Sequence, residues 1–279
     1  MAQLTFQDHS RIFANHRYIY PVVSRRSQGV SLGINLNINN ACNWRCIYCQ
    51  VEGLVRGNPQ QVDLVKLESE LTYMLEWITQ GDFMQKYAPI GLQRFNDICF
   101  SGNGESTLSK QFLPVMEIVA KLRAKYYLQD KVKTVLITNG SEVAREDILT
   151  ALAMLQENNG EVWFKVDSAS WEGINKINQV NLSLESVTKR LQLAAGVCKT
   201  YIQTCLFKIA EQDPKQLEID EYINLVAQVR SLIAGVFLYS TARNPALPEG
   251  QHISQVSEEF LASVAARLRQ LGVTVQYYT

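Results

Sequence analysis

Strand-like apolar runs alternate with segments of helical period along this chain, and that alternation restricts its fold more than any other feature. Residues 31–38 alternate apolar and polar side chains, as a half-buried strand does. Further strands read at 97–101, 133–138, 161–167, 201–207 and 235–241, with a terminal one at 272–278. Helical periodicity fills the gaps at 64–79, 110–126, 143–156, 171–178, 183–199, 217–233 and 256–271. The first of these carries apolar residues at 64, 67, 71, 74, 75 and 78, and Asp63 is placed to cap it. Strands joined by helical crossovers lie parallel in one sheet. The expected fold is therefore α/β, a partial (β/α)6 barrel of parallel strands, short of the closed eight-fold form. Residues 18–23 read as a short extended piece and 80–96 as an irregular connection. No linker, repeat or low-complexity stretch intervenes. Residues 1–279 thus read as one domain, with an N-terminal extension (1–29), a core (about 30–245) and a C-terminal helix and strand (246–279).

Composition narrows the function. An apolar content of 47% over 279 residues supports a sizeable core. With 27 basic and 27 acidic residues, net charge gives no argument for a nucleic-acid partner, though a local basic patch stays open. No apolar run is long enough for a membrane span, and the first residues lack a signal-peptide pattern. A cytoplasmic protein with no membrane partner is expected. Six cysteines, three of them clustered, fit metal binding in a reducing compartment better than a disulfide framework. The N-terminal bases Arg11, Arg17, Arg25 and Arg26, with His9 and His16, read as a solvated wrap. An anion contact at Ser24-Arg25-Arg26 is the sharper alternative. G-x-S-x-G, Walker A and H-E-x-x-H are all missing.

The clustered cysteines are Cys42, Cys46 and Cys49, at C-x3-C-x2-C in one short loop after the first strand. Thiolates this close hold soft metal centres, with zinc and iron–sulfur as the main options. A closed structural zinc site wants four protein ligands. A cubane on three thiolates leaves one iron open to a small chelating molecule. Three unrelated core cysteines are the plain alternative. Gly102-Asn103-Gly104-Glu105 follows the next strand. Its glycines let backbone approach a ligand closely, and its carbonyls and carboxylate can accept from an ammonium group. Asn139 can bond a ribose hydroxyl or carboxylate, or simply turn the chain before Gly140. Lys165 and Asp167, two apart, share a strand face with Trp163. Charges on an inward face need a ligand or each other. Tyr239, Ser240, Thr241 and Arg243 end the sixth strand, and Arg243 is either a substrate-anion contact or a loop arginine. All these residues fall at the carboxyl ends of strands, where α/β folds bind ligands. Cys99, Cys198 and Cys205 read as buried packing, with a second cluster or a thiol that handles the substrate as the alternative.

C-x3-C-x2-C with Tyr48 before the last cysteine, followed after the second strand by Asn103-Gly104-Glu105, resembles the radical S-adenosylmethionine (radical SAM) superfamily. That resemblance implies a [4Fe–4S] cluster on Cys42, Cys46 and Cys49, with the amino and carboxylate groups of S-adenosylmethionine chelating the open iron. It implies one-electron cleavage of the sulfonium to methionine and a 5′-deoxyadenosyl radical, which takes hydrogen from a substrate. In the family the turn after the second strand contacts the methionine amino group, and here Asn103-Gly104-Glu105 stands for the common Gly-Gly-Glu. The implied cofactor-binding set is Tyr48, Gly102, Asn103, Gly104, Glu105, Asn139, Lys165 and Asp167, with Lys165, Asp167 and Arg243 as candidate catalytic residues. The implied partners are an external one-electron reductant of flavodoxin or ferredoxin type and a small-molecule or tRNA substrate. Within the superfamily, residues 22–245 look most like the branch of wyosine-base synthases of tRNA and bacterial proteins of unassigned role. The likeness lies in Val23-Ser24-Arg25-Arg26, Ser31-Leu32-Gly33-Ile34-Asn35, the stretch 100–108, Ile137-Thr138-Asn139-Gly140 and Lys165-Val166-Asp167-Ser168. Ser106 stands where proline is usual. No cysteine precedes Cys42, so the second cluster of wyosine-base synthases has no ligands here and that activity is not implied. The competing reading is a non-catalytic zinc or iron–sulfur protein that contacts RNA.

Overall fold

The computed structural model describes residues 3–5, 11–24, 28–241 and 243–279. His9, Arg25 and Arg26, and with them the anion contact read at Ser24-Arg25-Arg26, lie outside the described residues. Eight strands form one curled sheet: β1 (Ile19–Ser24), β2 (Gly29–Ile34), β3 (Phe95–Phe100), β4 (Lys133–Thr138), β5 (Gly160–Lys165), β6 (Thr200–Cys205), β7 (Gly235–Tyr239) and β8 (Val275–Tyr278). They lie side by side in chain order. β1 pairs antiparallel with β2, and every other pairing is parallel. β1 and β8 are the two open edges, so the sheet is a partial barrel as the alternation predicted.

Parallel strands covered on both faces bury nearly every residue, and β4 and β5 do so. Val162 and Phe164 point outward under the helices. Glu161, Trp163 and Lys165 take the opposite, inner face. Eight helices follow in order: α1 (Leu64–Gln80), α2 (Phe83–Tyr87), α3 (Phe112–Lys125), α4 (Glu146–Glu157), α5 (Trp171–Asn178), α6 (Leu184–Val197), α7 (Gln216–Val229) and α8 (Glu258–Gln270). Each longer helix packs on the next, α1 on α3, α3 on α4, α4 on α6, α6 on α7 and α7 on α8. α4 buries Ile148, Ala151, Leu152 and Leu155, one stripe at helical spacing. Burial of each Ile or Leu side chain there contributes about 1.5–3 kcal/mol. Asp63 accepts from the Lys66 amide at 3.0 Å and fixes the start of α1.

Inside the barrel, an aromatic floor closes the amino end of the strands. Phe237 stacks on Tyr201 (centroids 4.5 Å apart, 14° between planes) and meets Trp163 edge-on at 5.2 Å. Beneath it Glu161 accepts from Lys133 at 2.7 Å and Lys199 at 3.1 Å. Such a buried carboxylate needs both partners.

The structure departs from the sequence reading in three places. Residues 19–24 are not an outlying extension but the first strand of the sheet, because Ile19, Val22 and Val23 bury their side chains in the main core. The strand read over 31–38 ends at Ile34, and Asn35 and Asn37 turn their amides to the adjoining loops instead. The irregular connection holds the short helix α2, whose Phe83 and Tyr87 pack with Phe13 and Trp77. No helix among the described residues is long and apolar enough to cross a membrane.

Candidate functional site

The cysteine loop leaves β2 through Asn40, held at φ 56°, a left-handed backbone that asparagine tolerates. It is tied down on three sides. Ala41–Cys42 pairs with Val55–Arg56. The Arg45 and Ile47 amides donate to the Asn178 and Ile177 carbonyls of α5 at 3.2 and 2.9 Å. The Cys49 carbonyl accepts from the Ala246 amide at 2.7 Å. Cys42, Cys46 and Cys49 line one cavity of about 150 Å³ together with Gly102, Gly104, Asn139 and Lys165. No disulfide joins any of the six cysteines. Burial pushes the Cys42 thiol up to about 11, Cys46 up to about 12, and Cys49 upward as well. Metal binding there displaces protons. Among the described residues, no three His, Cys, Asp or Glu side chains are gathered as ligands of a single ion. In an iron–sulfur cluster each thiolate binds its own iron. Three thiols around one cavity fit that donor set.

The glycine turn faces these cysteines because its glycines permit contact that no side chain would. A Cβ on Gly102 would stand 2.3 Å from Asn35 Oδ1, and one on Gly104 would stand 2.1 Å from the Ala41 carbonyl oxygen. Asparagines lock the approach. Asn35 Oδ1 accepts from the Asn37 and Asn103 amides at 3.0 and 3.1 Å. Asn37 Nδ2 donates to the carbonyls of Ala41 (2.9 Å) and Glu105 (3.2 Å). Asn103 donates to Asn40 at 2.7 Å and accepts from Arg11. The Glu105 carboxylate is buried. It accepts from the Thr107 amide and hydroxyl, the Thr138 hydroxyl and, at 2.6 Å, the Asn139 amide. Burial pushes its pKa up, and these donors oppose the push. Glu105 thereby ties the end of β3 to the end of β4. Asn139 accepts from the Ser141 amide at 2.9 Å, as a turn residue does, and also donates to Asn43 of the cysteine loop at 3.0 Å.

Lys165 and Asp167 form an inner network. Asp167 Oδ2 accepts from the Tyr48 hydroxyl at 2.5 Å and from Asn178 Nδ2 at 2.9 Å. Its Oδ1 accepts from the Cys205 amide at 3.1 Å and lies 3.5 Å from Lys165 Nζ. Lys165 donates to the Tyr239 hydroxyl at 2.7 Å and lies 4.9 Å above the centre of the Tyr48 ring. Burial alone would discharge Lys165, but Asp167 and Tyr239 outweigh it and raise its pKa. Burial, and after it Asp167, push the Tyr48 hydroxyl well above the ordinary tyrosine range. Lys165 thus keeps its ion pair while lining the cysteine cavity.

A second, central cavity of about 350 Å³ opens beside the first. Its wall includes Tyr20, Ser31, Asp97, Lys165, Tyr239 and Arg243, and Trp163 is at its floor. Ser31 donates to Asp97 across β2 and β3. The Arg243 carbonyl accepts from Gln50 at 3.0 Å. Cys99 and Cys205 line this cavity, while Cys198 packs in the main core. Sequence reasoning missed Asn178, Asn43, Arg11 and Asp97. The asparagine run from Asn35 to Asn40 carried a legible signal, because asparagine favours turns over strand. Asn178 carried none.

No family model matches the chain. It is 23% identical over 220 residues to a GTPase Obg of Brachyspira hyodysenteriae, an alignment that covers 77% of this chain and 28% of that protein. The chain thus spans little more than a quarter of that relative, and it has no Walker A sequence. Among solved structures it resembles a radical SAM methyltransferase from Sphaerobacter thermophilus (TM-score 0.56, 13% identity, 92% of this chain, 68% of that one). It also resembles anSMEcpe with bound AdoMet (TM-score 0.53, 20% identity, 77% and 52%). These likenesses establish a shared fold.

Proposed function

We propose that the chain is a radical SAM enzyme. One observation carries the reading. Three thiols at C-x3-C-x2-C share a cavity with the glycine turn, Asn139 and Lys165, on a fold that a radical SAM methyltransferase also has. Cys42, Cys46 and Cys49 would hold a [4Fe–4S] cluster. With S-adenosylmethionine bound, that cluster supplies a 5′-deoxyadenosyl radical by one-electron cleavage of the sulfonium. The carbonyls of Gly102, Asn103 and Gly104 would accept from the methionine ammonium group. Glu105 holds that turn against β4 rather than meeting the ligand. Tyr48, Asn139, Lys165 and Asp167 form the walls that orient the cofactor and exclude water. Lys165 and Asp167 keep opposite charges beside the reaction, and Arg243 faces the substrate cavity. The buried network around Asp167 supports the reading, since it links a cofactor wall to the Cys46 sulfur through Asn178.

The reading carries an external one-electron reductant of flavodoxin or ferredoxin type, a cytoplasmic setting, and a small-molecule or tRNA substrate. The test is oxygen-free purification, reconstitution with iron and sulfide, reduction and addition of S-adenosylmethionine. The expected result is about four irons per chain, with 5′-deoxyadenosine detected by chromatography. A colourless zinc protein that leaves S-adenosylmethionine intact would overturn it.

A further inference from the structure

An outer groove of about 960 Å³ meets the central cavity, and Arg11 and Arg243 line both. Arg17, Lys66 and His16 also line the groove, against the single carboxylate of Glu52 among its described residues. The chain as a whole is neutral, so this imbalance is local. Arg11 is half-buried and meets the neutral oxygen of Asn103. Among the described residues the Arg17 guanidinium reaches Gln60, at 3.5 Å, and the Tyr18 ring. Arg11, Arg17 and Lys66 form no ion pair among the described residues. A half-buried guanidinium aimed by an amide, with no counter-charge among the described residues, suits an anion that arrives from outside.

We infer that this groove binds a phosphate group of the substrate, whose reacting part enters the central cavity. The inference rests on the proposed reading and names its substrate class, a phosphate ester. Several separate cations match the multiple charge of a phosphate better than the single charge of a carboxylate. The guanidinium fork offers paired donors to phosphate oxygens. The glycine turn aims Arg11 through Asn103, which couples the groove to the cofactor-binding turn.

Inorganic pyrophosphate is the probe, titrated calorimetrically into cluster-loaded protein saturated with S-adenosylmethionine. The expected result is binding that weakens as salt is raised. It should fall by about tenfold or more in Arg11→Gln, the effect of losing one charged hydrogen bond, and be partly restored in Arg11→Lys. Lys66→Gln, on the exposed first turn of α1, should also weaken it and guards against misfolding of the Arg11 variant. Equal affinity in wild type and both Gln variants would overturn the inference. So would displacement of pyrophosphate by S-adenosylmethionine, which would assign Arg11 to the methionine carboxylate. Formation of 5′-deoxyadenosine is followed in parallel. If it occurs without pyrophosphate binding, the groove inference alone fails. If neither cluster nor cleavage appears, the parent reading fails.

Discussion

The side-chain amide of Asn178 donates to the sulfur of Cys46 at 3.3 Å, across 132 residues of sequence. A donor at a ligating sulfur stabilises the more negative, reduced cluster and raises its potential. One such hydrogen bond contributes about 0.5–1.5 kcal/mol. For a one-electron couple this converts to roughly 20–60 mV. Asn178→Ala should therefore lower the potential of the reconstituted cluster by that amount, read by a redox titration of its reduced-state EPR signal. An unchanged potential would mean the contact is only structural.

Replacing Cys42, Cys46 or Cys49 by Ala should reduce iron from about four per chain to near none and abolish 5′-deoxyadenosine. Cys198→Ala should keep its iron, because that sulfur packs in the main core behind the sheet. Iron and sulfide analysis after reconstitution checks both. A Cys46 variant that retains cluster and turnover would remove the assignment.

Gly104→Ala drives a methyl group to 2.1 Å from the Ala41 carbonyl, so the turn and the cysteine loop have to separate. Urea unfolding should register a loss of about 1–3 kcal/mol, and S-adenosylmethionine binding should weaken with it. Gly196 is the control. It lies within α6 with nothing within 4 Å of an added Cβ, so Gly196→Ala should stabilise by up to about 1 kcal/mol.

Burial works against the charge of Glu161, but Lys133 and Lys199 outweigh it and hold its pKa below the ordinary value of 4.5. A carboxyl depressed in the folded state stabilises the protein above its unfolded value, and that contribution is lost as pH falls through the folded one. Stability should thus decline below about pH 4.5. Glu161→Gln should be less stable at neutral pH and show a shallower acid decline. Thermal melts across that window measure the difference, and parallel curves would refute it.

Much of the architecture was legible because periodicity records burial. The α1 stripe at 67, 71, 74, 75 and 78 and its Asp63 cap are local facts of the chain, and the structure has both. Residues 19–24 were harder, since a hairpin strand at an open edge depends on a partner that no periodicity names. For the site, the strand-end rule brought Cys42, Gly104, Asn139, Lys165 and Arg243 to the same end of the barrel. It could not say that the Glu105 carboxylate turns inward, which depends on Thr138 and Asn139 from another strand. Asn178 was invisible for the same reason. Its partners Cys46 and Asp167 come from different elements, and a lone asparagine near a helix end reads as an ordinary cap.

The order of strands in the sheet bears on how the protein is made. Each strand lies beside its neighbour in sequence, so the sheet can grow one unit at a time as the nascent chain emerges. The cysteine loop does not share that independence. It emerges early, yet its anchors at Ile177, Asn178 and Ala246 and the Lys165 partner Tyr239 come from the later part of the chain. A ribosome-bound intermediate stalled before residue 239 would hold most of the barrel and all three thiols but lack the Ala246 contact to Cys49 and the Tyr239 contact to Lys165. In the proposed reading, cluster delivery therefore belongs after residues 239–246 have emerged, when the last anchors of the loop are in place.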